Sequence, residues 1–374
     1  MWGSPPPLKR ALELAARPPF QVRREGGLVL ISYQEKGGFS EIPWDREARE
    51  LRGIVYAEDT GEALSRPFHR FFNLGDPRCA FPPGRPLAAG DLLAPKVDGR
   101  LLQVFAYRGT PWFASRGSLR LSEVEEDSRR KAWTPDHDVL VQRAFAALGP
   151  VTLLFEVVDP ERPVVERPRE AAVVLLAVRH IPTGRYWFPG ASPELEALLA
   201  DLDLPRLSWR PAGEGTLGEL HQRVRPEGER EGYVLWLAEG DFVKLKTDWA
   251  LGFTRKRQSF RKRLQEFAQA LLEDRLDDLL AGGADEPESQ RIFLRLYRRL
   301  QGLVAQATAL AGEARDLSRK EAYALFEERL GSSRFLLDLA LRAHEGGEDR
   351  AWSRLKDVLR KKGPEFLEVL WEEA

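Results

Sequence analysis

The chain has 374 residues with 43% hydrophobic and 31% charged side chains, and its formal net charge at pH 7 is −1. These ordinary globular values argue against a disordered, fibrous or membrane-spanning protein. The near-zero charge gives no bulk signature of nucleic-acid binding, so a phosphate-binding surface must be a local patch of cations.

The length exceeds the usual size of one domain and favours two domains with separate cores. Over residues 20–251, short β-prone runs alternate with turns rich in glycine and proline. These runs occupy residues 27–33, 51–56, 101–107, 151–158, 172–178, 233–237 and 242–245. We therefore predict an α+β first domain, residues 1–252, with mostly antiparallel sheets.

After residue 253 the apolar residues change to helical spacing. They form two series on helix faces: Leu264, Phe267, Ala268, Leu271, Leu272 and Leu276, then Phe293, Leu296, Leu300, Leu303 and Ala307. The segment Ser318-Arg319-Lys320-Glu321 has the form of a capping box that starts another helix. Residues 282–283, 346–347 and 363–364 are expected breaks between helices. We predict an all-α second domain in residues 253–374.

The segment Pro95-Lys96-Val97-Asp98-Gly99 carries a candidate nucleophile. A lysine that attacks the α-phosphorus of a nucleotide must first lose a proton from an ammonium group with an ordinary pKa of about 10.4. Downstream, Lys244 and Lys246 alternate along a predicted strand, so both project from one face. There we expect them to depress the pKa of the nucleophile and to neutralise an α-phosphate. Taken alone, the first pattern is better explained by a surface turn and the second by a strand with solvated lysines.

Two glutamates adjoin predicted strands. Glu156 ends the apolar run 151–155, and Glu231 directly precedes the run 232–236. Carboxylates at such positions in a phosphate-handling enzyme suggest ribose binding and Mg²⁺ coordination, because this ion prefers oxygen ligands. The alternative for each is an ordinary surface acid.

Five segments, in order along the chain, resemble motifs I, Ia, III, IV and V of the covalent nucleotidyltransferase superfamily of DNA ligases, RNA ligases and mRNA capping enzymes. They are residues 95–99, 115–118, 155–158, 231–234 and 243–246. Residues 51–55 and 68–73 look like the Arg-Gly and Lys-Phe-Phe-Asn elements of the RNA ligase 1 family. The helical tail, in place of an oligonucleotide-binding barrel, favours the same family.

The resemblance implies a role for each matching residue. Lys96 is the nucleophile, Glu156 binds the ribose of ATP, and Glu231 helps to hold a metal, Mg²⁺ or Mn²⁺. Lys244 and Lys246 contact the α-phosphate. The other residues that the resemblance assigns to ATP are Arg52 and Arg70 for the β- and γ-phosphates, Arg116 in motif Ia, and Asp98 and Gly99 in the turn that presents the nucleophile. Arg70 and Arg116 depart from the lysines common in the family, which changes reach and donor geometry.

The implied activity is ATP-dependent joining of RNA 5′-phosphate and 3′-hydroxyl ends through lysyl-AMP and RNA-adenylate intermediates. The second domain is then an RNA-specificity domain. At the apparent junction of the two domains lies a run of six cations that are candidates for RNA phosphate contacts: Arg255, Lys256, Arg257, Arg261, Lys262 and Arg263. A solvated helix face is an equal alternative for this run.

Two other readings stay open at the level of sequence. In the first, the enzyme uses a different acceptor, either nicked DNA or, with GTP as the nucleotide, an RNA end that receives a cap. In the second, the chain is a catalytically silent relative that binds RNA.

The single cysteine, Cys79, excludes an intramolecular disulfide and a multi-cysteine metal site. No run approaches about 18 apolar residues, and no secretory signal pattern is present. We expect a cytoplasmic protein with no membrane partner, and no protein partner is implied.

Overall fold

The computed structural model describes residues 2–34, 42–163, 166, 168–276, 279–280, 287–330 and 333–372. The chain folds into two compact units, Met1–Phe253 and Thr254–Ala374. In the part of the chain that is described, no helix is both long and apolar enough to cross a bilayer.

The first unit contains short strands and helices along its whole length. The strands are β1 Phe20–Glu25, β2 Leu28–Tyr33, β3 Ile54–Ala57, β4 Ala63–Ser65, β5 Phe72–Asn73, β6 Leu92–Pro95, β7 Arg100–Tyr107, β8 Thr110–Ser115, β9 Val151–Val158, β10 Ala172–His180, β11 Tyr186–Trp187, β12 Arg210–Pro211, β13 Gly232–Leu237 and β14 Asp241–Lys246. The helices are α1 Leu8–Ala15, α2 Arg46–Glu50, α3 Glu123–Ala132, α4 Pro135–Leu148, α5 Pro193–Leu199 and α6 Leu217–Val224.

These strands form three sheets with the orders β1-β2-β3-β4, β11-β10-β9-β7-β8 and β12-β6-β13-β14-β5. Neighbouring strands are antiparallel except β14 and β5, which are parallel. The first domain was predicted as α+β with mostly antiparallel sheets, and this is confirmed.

Strand β14 shows how the sequence pattern sets the sheet. Val243 and Leu245 are fully buried, whereas Lys244 and Lys246, which alternate with them, are partly exposed. Since successive side chains alternate across a strand, the apolar pair faces the core and the two lysines share the opposite face.

Residues 96–99 connect β6 in the third sheet to β7 in the second sheet. Within the third sheet, Pro95 pairs with Tyr233 and Gly232 pairs with Lys246. In the second sheet, Leu101 on β7 pairs with Glu156 on β9. This connection therefore brings the lysine-bearing segment against both sheets.

A fully buried ion triad links α2, the residues after β4, and β10. The Glu50 carboxylate accepts hydrogen bonds from Arg66 at 2.7 and 3.0 Å and from Arg179 at 2.8 and 3.0 Å. Burial acts to raise the pKa of Glu50, but the two guanidinium groups outweigh it and lower the pKa to about 2. Each charge is therefore stabilised only while its partners stay in place.

The second unit is helical, with α7 Asp248–Leu272 entering it from the first unit, followed by α8 Pro287–Glu313, α9 Arg319–Leu330, α10 Arg334–Lys362 and α11 Glu365–Glu372. Its core is apolar and includes Phe267, Phe293, Leu300, Phe326, Leu339 and Leu355. The Ser318 hydroxyl and the Glu321 carboxylate form the predicted capping contacts before α9. The prediction of a helical C-terminal region is confirmed.

Two of the three predicted helix breaks lie in the described part of the chain, and both are present. Gly346 and Gly347 have non-helical backbone angles and kink α10, and residues 363–364 separate α10 from α11. Residues 282–283 lie outside the described residues.

Replacing Glu50 by alanine should destabilise the protein by about 3–5 kcal/mol, because two buried guanidinium groups lose their carboxylate. In wild type, the stabilisation from this lowered pKa is complete above pH 4.5 and is lost as the pH falls toward about 2. Denaturant unfolding from pH 7 to pH 2 measures both effects. The control is Glu47→Ala, which changes another glutamate of α2. Glu47 is an exposed ion-pair partner of Arg10 on α1, so its removal should barely change the denaturant midpoint of unfolding. Equal midpoints for the two variants would refute the role of the triad.

Candidate active site

Lys96 directly follows β6, and its ammonium is bound to a carboxylate. Its Nζ donates to Glu231 Oε2 at 2.5 Å, and its backbone N–H donates to the Gly232 carbonyl at 2.9 Å. The other carboxylate oxygen of Glu231 lies 3.3 Å from Lys246 Nζ. The Glu231 side chain is only 6% exposed, so one nearly buried carboxylate joins two ammonium groups.

Two glycines permit this arrangement. Gly232 has φ +127°, and a Cβ there would lie 2.1 Å from the Leu245 carbonyl oxygen on the paired strand. At Gly99, a Cβ would lie 2.4 Å from the Val157 carbonyl oxygen on β9. No real Cβ tolerates such contacts, so Gly99, three residues after Lys96, and Gly232, directly after Glu231, can approach the neighbouring backbone only as glycine.

The protonation of Lys96 differs from the prediction. Burial acts to lower the pKa of Lys96, but the carboxylates of Glu231 and Glu156 outweigh it and raise the pKa above its ordinary value. The prediction that Lys244 and Lys246 depress this pKa is wrong, because nearby carboxylates from other strands dominate. It is Lys244 whose pKa is well below its ordinary value, through burial and then the charges of Arg52 and Arg70.

Glu156 lies on β9, opposite Leu101, and shares the electrostatic environment of Lys96. Burial raises the pKa of Glu156 to about 7, against the opposing effect of Lys96 and Arg52. This carboxyl group can therefore accept or donate a hydrogen bond near neutral pH.

Sequence reasoning missed a second carboxylate that supports Glu231. The Asp98 carboxylate accepts the backbone N–H of Glu166 at 2.8 Å, and the Glu166 carboxylate accepts the backbone N–H of Glu231. Asp98 is 9% exposed. The link from the lysine turn to Glu231 therefore runs through a loop residue that belongs to no sequence pattern.

Three arginines lie around two aromatic rings. The guanidinium groups of Arg70 and Arg116 lie 5.2 and 5.4 Å from the centre of the Tyr33 ring, and Arg70 donates to the Tyr33 hydroxyl at 2.7 Å. Arg52 and Lys244 lie 5.9 and 4.8 Å from the Phe71 ring. A ring face attracts the cation that lies against it, and this contact restricts the orientation of the cation's donors.

Phe71 and Phe72 lie in the segment 68–73, which resembles the Lys-Phe-Phe-Asn element. The structure buries both, with 8% and 5% of their surface exposed. Tyr33 ends the β-prone run 27–33 and was not among the predicted site residues, although its ring contacts two of the predicted phosphate-binding arginines.

A buried glutamine fixes the backbone beside two of these arginines. The Gln103 amide on β7 donates to the carbonyls of Gly53 and Ser115, each at 2.9 Å, and accepts from the Ser65 hydroxyl at 2.6 Å. Gly53 follows Arg52, and Ser115 precedes Arg116. The sequence signal for Gln103 was a single polar residue inside an apolar strand, where a buried amide requires partners.

The cationic run 255–263 belongs to the second unit. The side chains of Arg255 and Arg257 lie outside the described residues, and Lys256 is exposed. The remaining three face carboxylates: Arg261 with Glu368 at 3.3 Å, Lys262 with Glu266 at 3.8 Å and Arg263 with Glu288 at 3.3 Å. This pairing favours the alternative of a solvated helix face over a preformed phosphate site.

The donor set around Lys96 fits a metal bound together with a nucleotide. Among the described residues, no group of three His, Cys, Asp or Glu side chains could hold a metal ion. Mg²⁺ is often bound by one or two carboxylates, water and substrate phosphates. The nearly buried Glu231 carboxylate suits that mode, whereas a site made entirely of protein ligands is not found in the described part.

No protein-family model matches the chain. It is similar to RNA ligase 1 of Bacteriophage TS2126, with 38% identity over an alignment of 384 positions that covers 98% of this chain and 93% of that relative. A putative RNA ligase of Thermovibrio ammonificans is 29% identical over 254 residues, covering 65% of this chain and 62% of the relative.

Solved structures with lower similarity are also RNA ligases. An archaeal ATP-dependent RNA ligase gives a TM-score of 0.44 at 15% identity, covering 86% of this chain and 87% of that one. A mutant Naegleria gruberi RNA ligase with ATP and Mn gives a TM-score of 0.35 at 14% identity. That match covers 46% of this chain, which spans about half (52%) of the Naegleria protein.

Replacing Gln103 by leucine should lower the free energy of unfolding by about 1–3 kcal/mol, because buried partners lose their hydrogen bonds. Denaturant unfolding at pH 7 measures the change. Gln21→Leu, at an exposed position on β1, is the control and should have little effect. If the Gln103 variant were as stable as this control, the amide would not hold these carbonyls.

Proposed function

The chain belongs to the RNA ligase 1 family, and we propose that it joins RNA ends with ATP by way of an AMP group carried on Lys96. The observation that carries this proposal is the single Glu231 carboxylate between the ammonium groups of Lys96 and Lys246. A lysine presented in this way beside further cations suits attack on a phosphoanhydride.

In the first step, the neutral Lys96 amine attacks the α-phosphorus of ATP. A P–N bond forms between Lys96 and the α-phosphorus. The bond from this phosphorus to the oxygen that bridges the α- and β-phosphates breaks, pyrophosphate leaves, and the amine loses a proton. Glu231 orients the ammonium beforehand and is the nearest acceptor for a proton. Lys244 and Lys246, on one face of β14, supply positive charge to the α-phosphate.

The leaving pyrophosphate is assigned to the arginine cluster. Arg52, Arg70 and Arg116 project donors next to Tyr33 and Phe71. Guanidinium groups bind phosphate oxygens through two parallel hydrogen bonds, so they fix the direction in which pyrophosphate leaves. The arginines at positions 70 and 116 are compatible with this role and offer more donors than lysine.

Glu156 and the turn at Asp98 and Gly99 are assigned to the nucleoside. The carboxyl group of Glu156, with a pKa of about 7, accepts a hydrogen bond from a ribose hydroxyl when it is ionised. Mg²⁺ or Mn²⁺, held by Glu231 and the phosphates, would neutralise charge on the phosphate oxygens.

The second and third steps transfer AMP from Lys96 to an RNA 5′-phosphate, then displace AMP with an RNA 3′-hydroxyl. We assign residues 1–252 to adenylyl transfer and residues 253–374 to RNA specificity. We also assign the cations of the run 255–263 to RNA contacts. Those that face carboxylates must exchange these partners for RNA phosphates.

The Lys96→Ala variant should take up no label from α-³²P-ATP, because it has no amine to form the P–N bond. Labelled protein is measured on a denaturing gel. Lys131→Ala removes a surface lysine on α3 that pairs with Asp127 and Glu161, and this control should label like wild type. Label retained on Lys96→Ala would refute the assignment.

The acceptor is tested with the same proteins. Wild type should join or circularise single-stranded RNA with 5′-phosphate and 3′-hydroxyl ends and leave nicked duplex DNA unsealed. Labelling should require ATP and not GTP. Sealing of the DNA nick, or transfer of GMP, would instead support the DNA ligase or capping-enzyme alternative.

The rate of Lys96 adenylylation should rise by about tenfold per pH unit from about pH 6 to 9, because the raised pKa leaves little neutral amine at neutral pH. Single-turnover labelling at saturating ATP measures it. A rate independent of pH over this range would show that Lys96 does not react from the ammonium form seen here.

A further inference from the structure

Arg49 joins the two segments that carry Arg52 and Arg70. It lies on α2, three residues before Arg52, and its side chain is 14% exposed. Its Nε donates to the Arg70 carbonyl at 2.7 Å, and the Arg70 backbone N–H donates to the Arg49 carbonyl at 2.7 Å. The peptide groups on both sides of the Arg70 side chain are therefore bound to one residue.

The same guanidinium reaches the strand that carries the two lysines. Arg49 donates from a second nitrogen to Asp241 Oδ1 at 2.6 Å, and Asp241 is the first residue of β14. His69 Nε2 lies 2.9 Å from that oxygen. Burial acts to raise the pKa of Asp241, but His69 and Arg49 outweigh it and lower the pKa to about 2, so the carboxylate stays ionised at neutral pH.

Trp2 holds the Arg49 guanidinium from one face. The Arg49 guanidinium carbon lies 4.8 Å from the Trp2 ring, and that ring stacks on His69 with centroids 3.6 Å apart. The Trp2 indole N–H donates to the Gly240 carbonyl, next to Asp241. Hydrogen bonds along the guanidinium plane and a ring against its face together restrict the side chain.

We propose that Arg49 is a positioning residue for pyrophosphate, which acts by holding Arg70 in register with Arg52 and with β14. This inference rests on the proposed function, in which Arg52 and Arg70 bind the leaving pyrophosphate. Pyrophosphate departs during adenylylation of Lys96 and enters again when that step is reversed. The joining of 5′-adenylylated RNA releases AMP and no pyrophosphate, so this step lacks the leaving group that Arg70 is proposed to bind.

Arg49→Ala is tested in three reactions: single-turnover adenylylation by ATP, discharge of lysyl-AMP by pyrophosphate, and joining of synthetic 5′-adenylylated RNA by enzyme first freed of AMP. We expect the first two rates to fall by about 10- to 100-fold through misplacement of Arg70. The third rate should match wild type and also report that the variant is folded.

Two further variants separate charge from geometry. Arg49→Lys keeps a cation near Asp241 but lacks the planar set of donors, so it should show the same pattern with smaller losses. Arg46→Ala removes an exposed guanidinium that lies 5.6 Å from the same Trp2 ring. This control should leave all three rates unchanged.

Equal losses in the three reactions would make Arg49 a residue of general stability and overturn the inference. Wild-type rates of adenylylation and discharge in Arg49→Ala would overturn it as well. If the wild-type protein carried AMP on a residue other than Lys96, the proposed function itself would fail, whatever the behaviour of Arg49.

Discussion

The rest of the site depends on the ion pairs that the Glu231 carboxylate forms with Lys96 and Lys246. Lys244 and Lys246 extend from one face of β14, and Lys96 directly follows β6, so that the charges of Lys96 and Lys246 act on Lys244. Like charges repel, and removing the Glu231 carboxylate would take from Lys96 and Lys246 the ion-pair partner that they share. The register of β6, β13 and β14 places that carboxylate between Lys96 and Lys246, while burial and the surrounding cations leave Lys244 with a lowered pKa.

This interaction favours folding and opposes the proposed chemistry. Bound to Glu231, Lys96 keeps its proton, although a neutral amine is required for attack. Under the proposed function, this arrangement separates binding from reaction. The cations attract an anionic nucleotide, and Lys96 becomes available for attack only when its ammonium group exchanges or loses its carboxylate partner. The supporting contacts from Asp98 and Glu166 hold the backbone of Glu231, so that the carboxylate itself can change partners without moving the strand.

The local periodicity of the sequence predicted much of the fold. The alternation in β14, the apolar run of β9 and the helical spacing after residue 253 each depend on neighbours within one element, and the predicted fold class is confirmed. The roles of the individual site residues remain predictions. Glu166, Gln103 and Arg49 escaped notice because their partners lie 65, 50 and 192 residues away along the chain. The pKa of Lys96 was predicted in the wrong direction because spacing reveals two lysines on one strand but not carboxylates that arrive from other strands.

The close approaches at Gly99 and Gly232 bear on how mutational data for this chain are interpreted. Both residues lack a functional group, yet a neighbouring carbonyl oxygen fills the space that any side chain would need. In a saturation screen scored by activity, these two positions should be as intolerant as Lys96, the proposed nucleophile, since every substitution meets the same obstacle whatever its polarity or charge. A parallel screen scored by the amount of folded protein separates the two kinds of intolerance: the glycines would fail both screens, and a residue needed only for its amine would fail one.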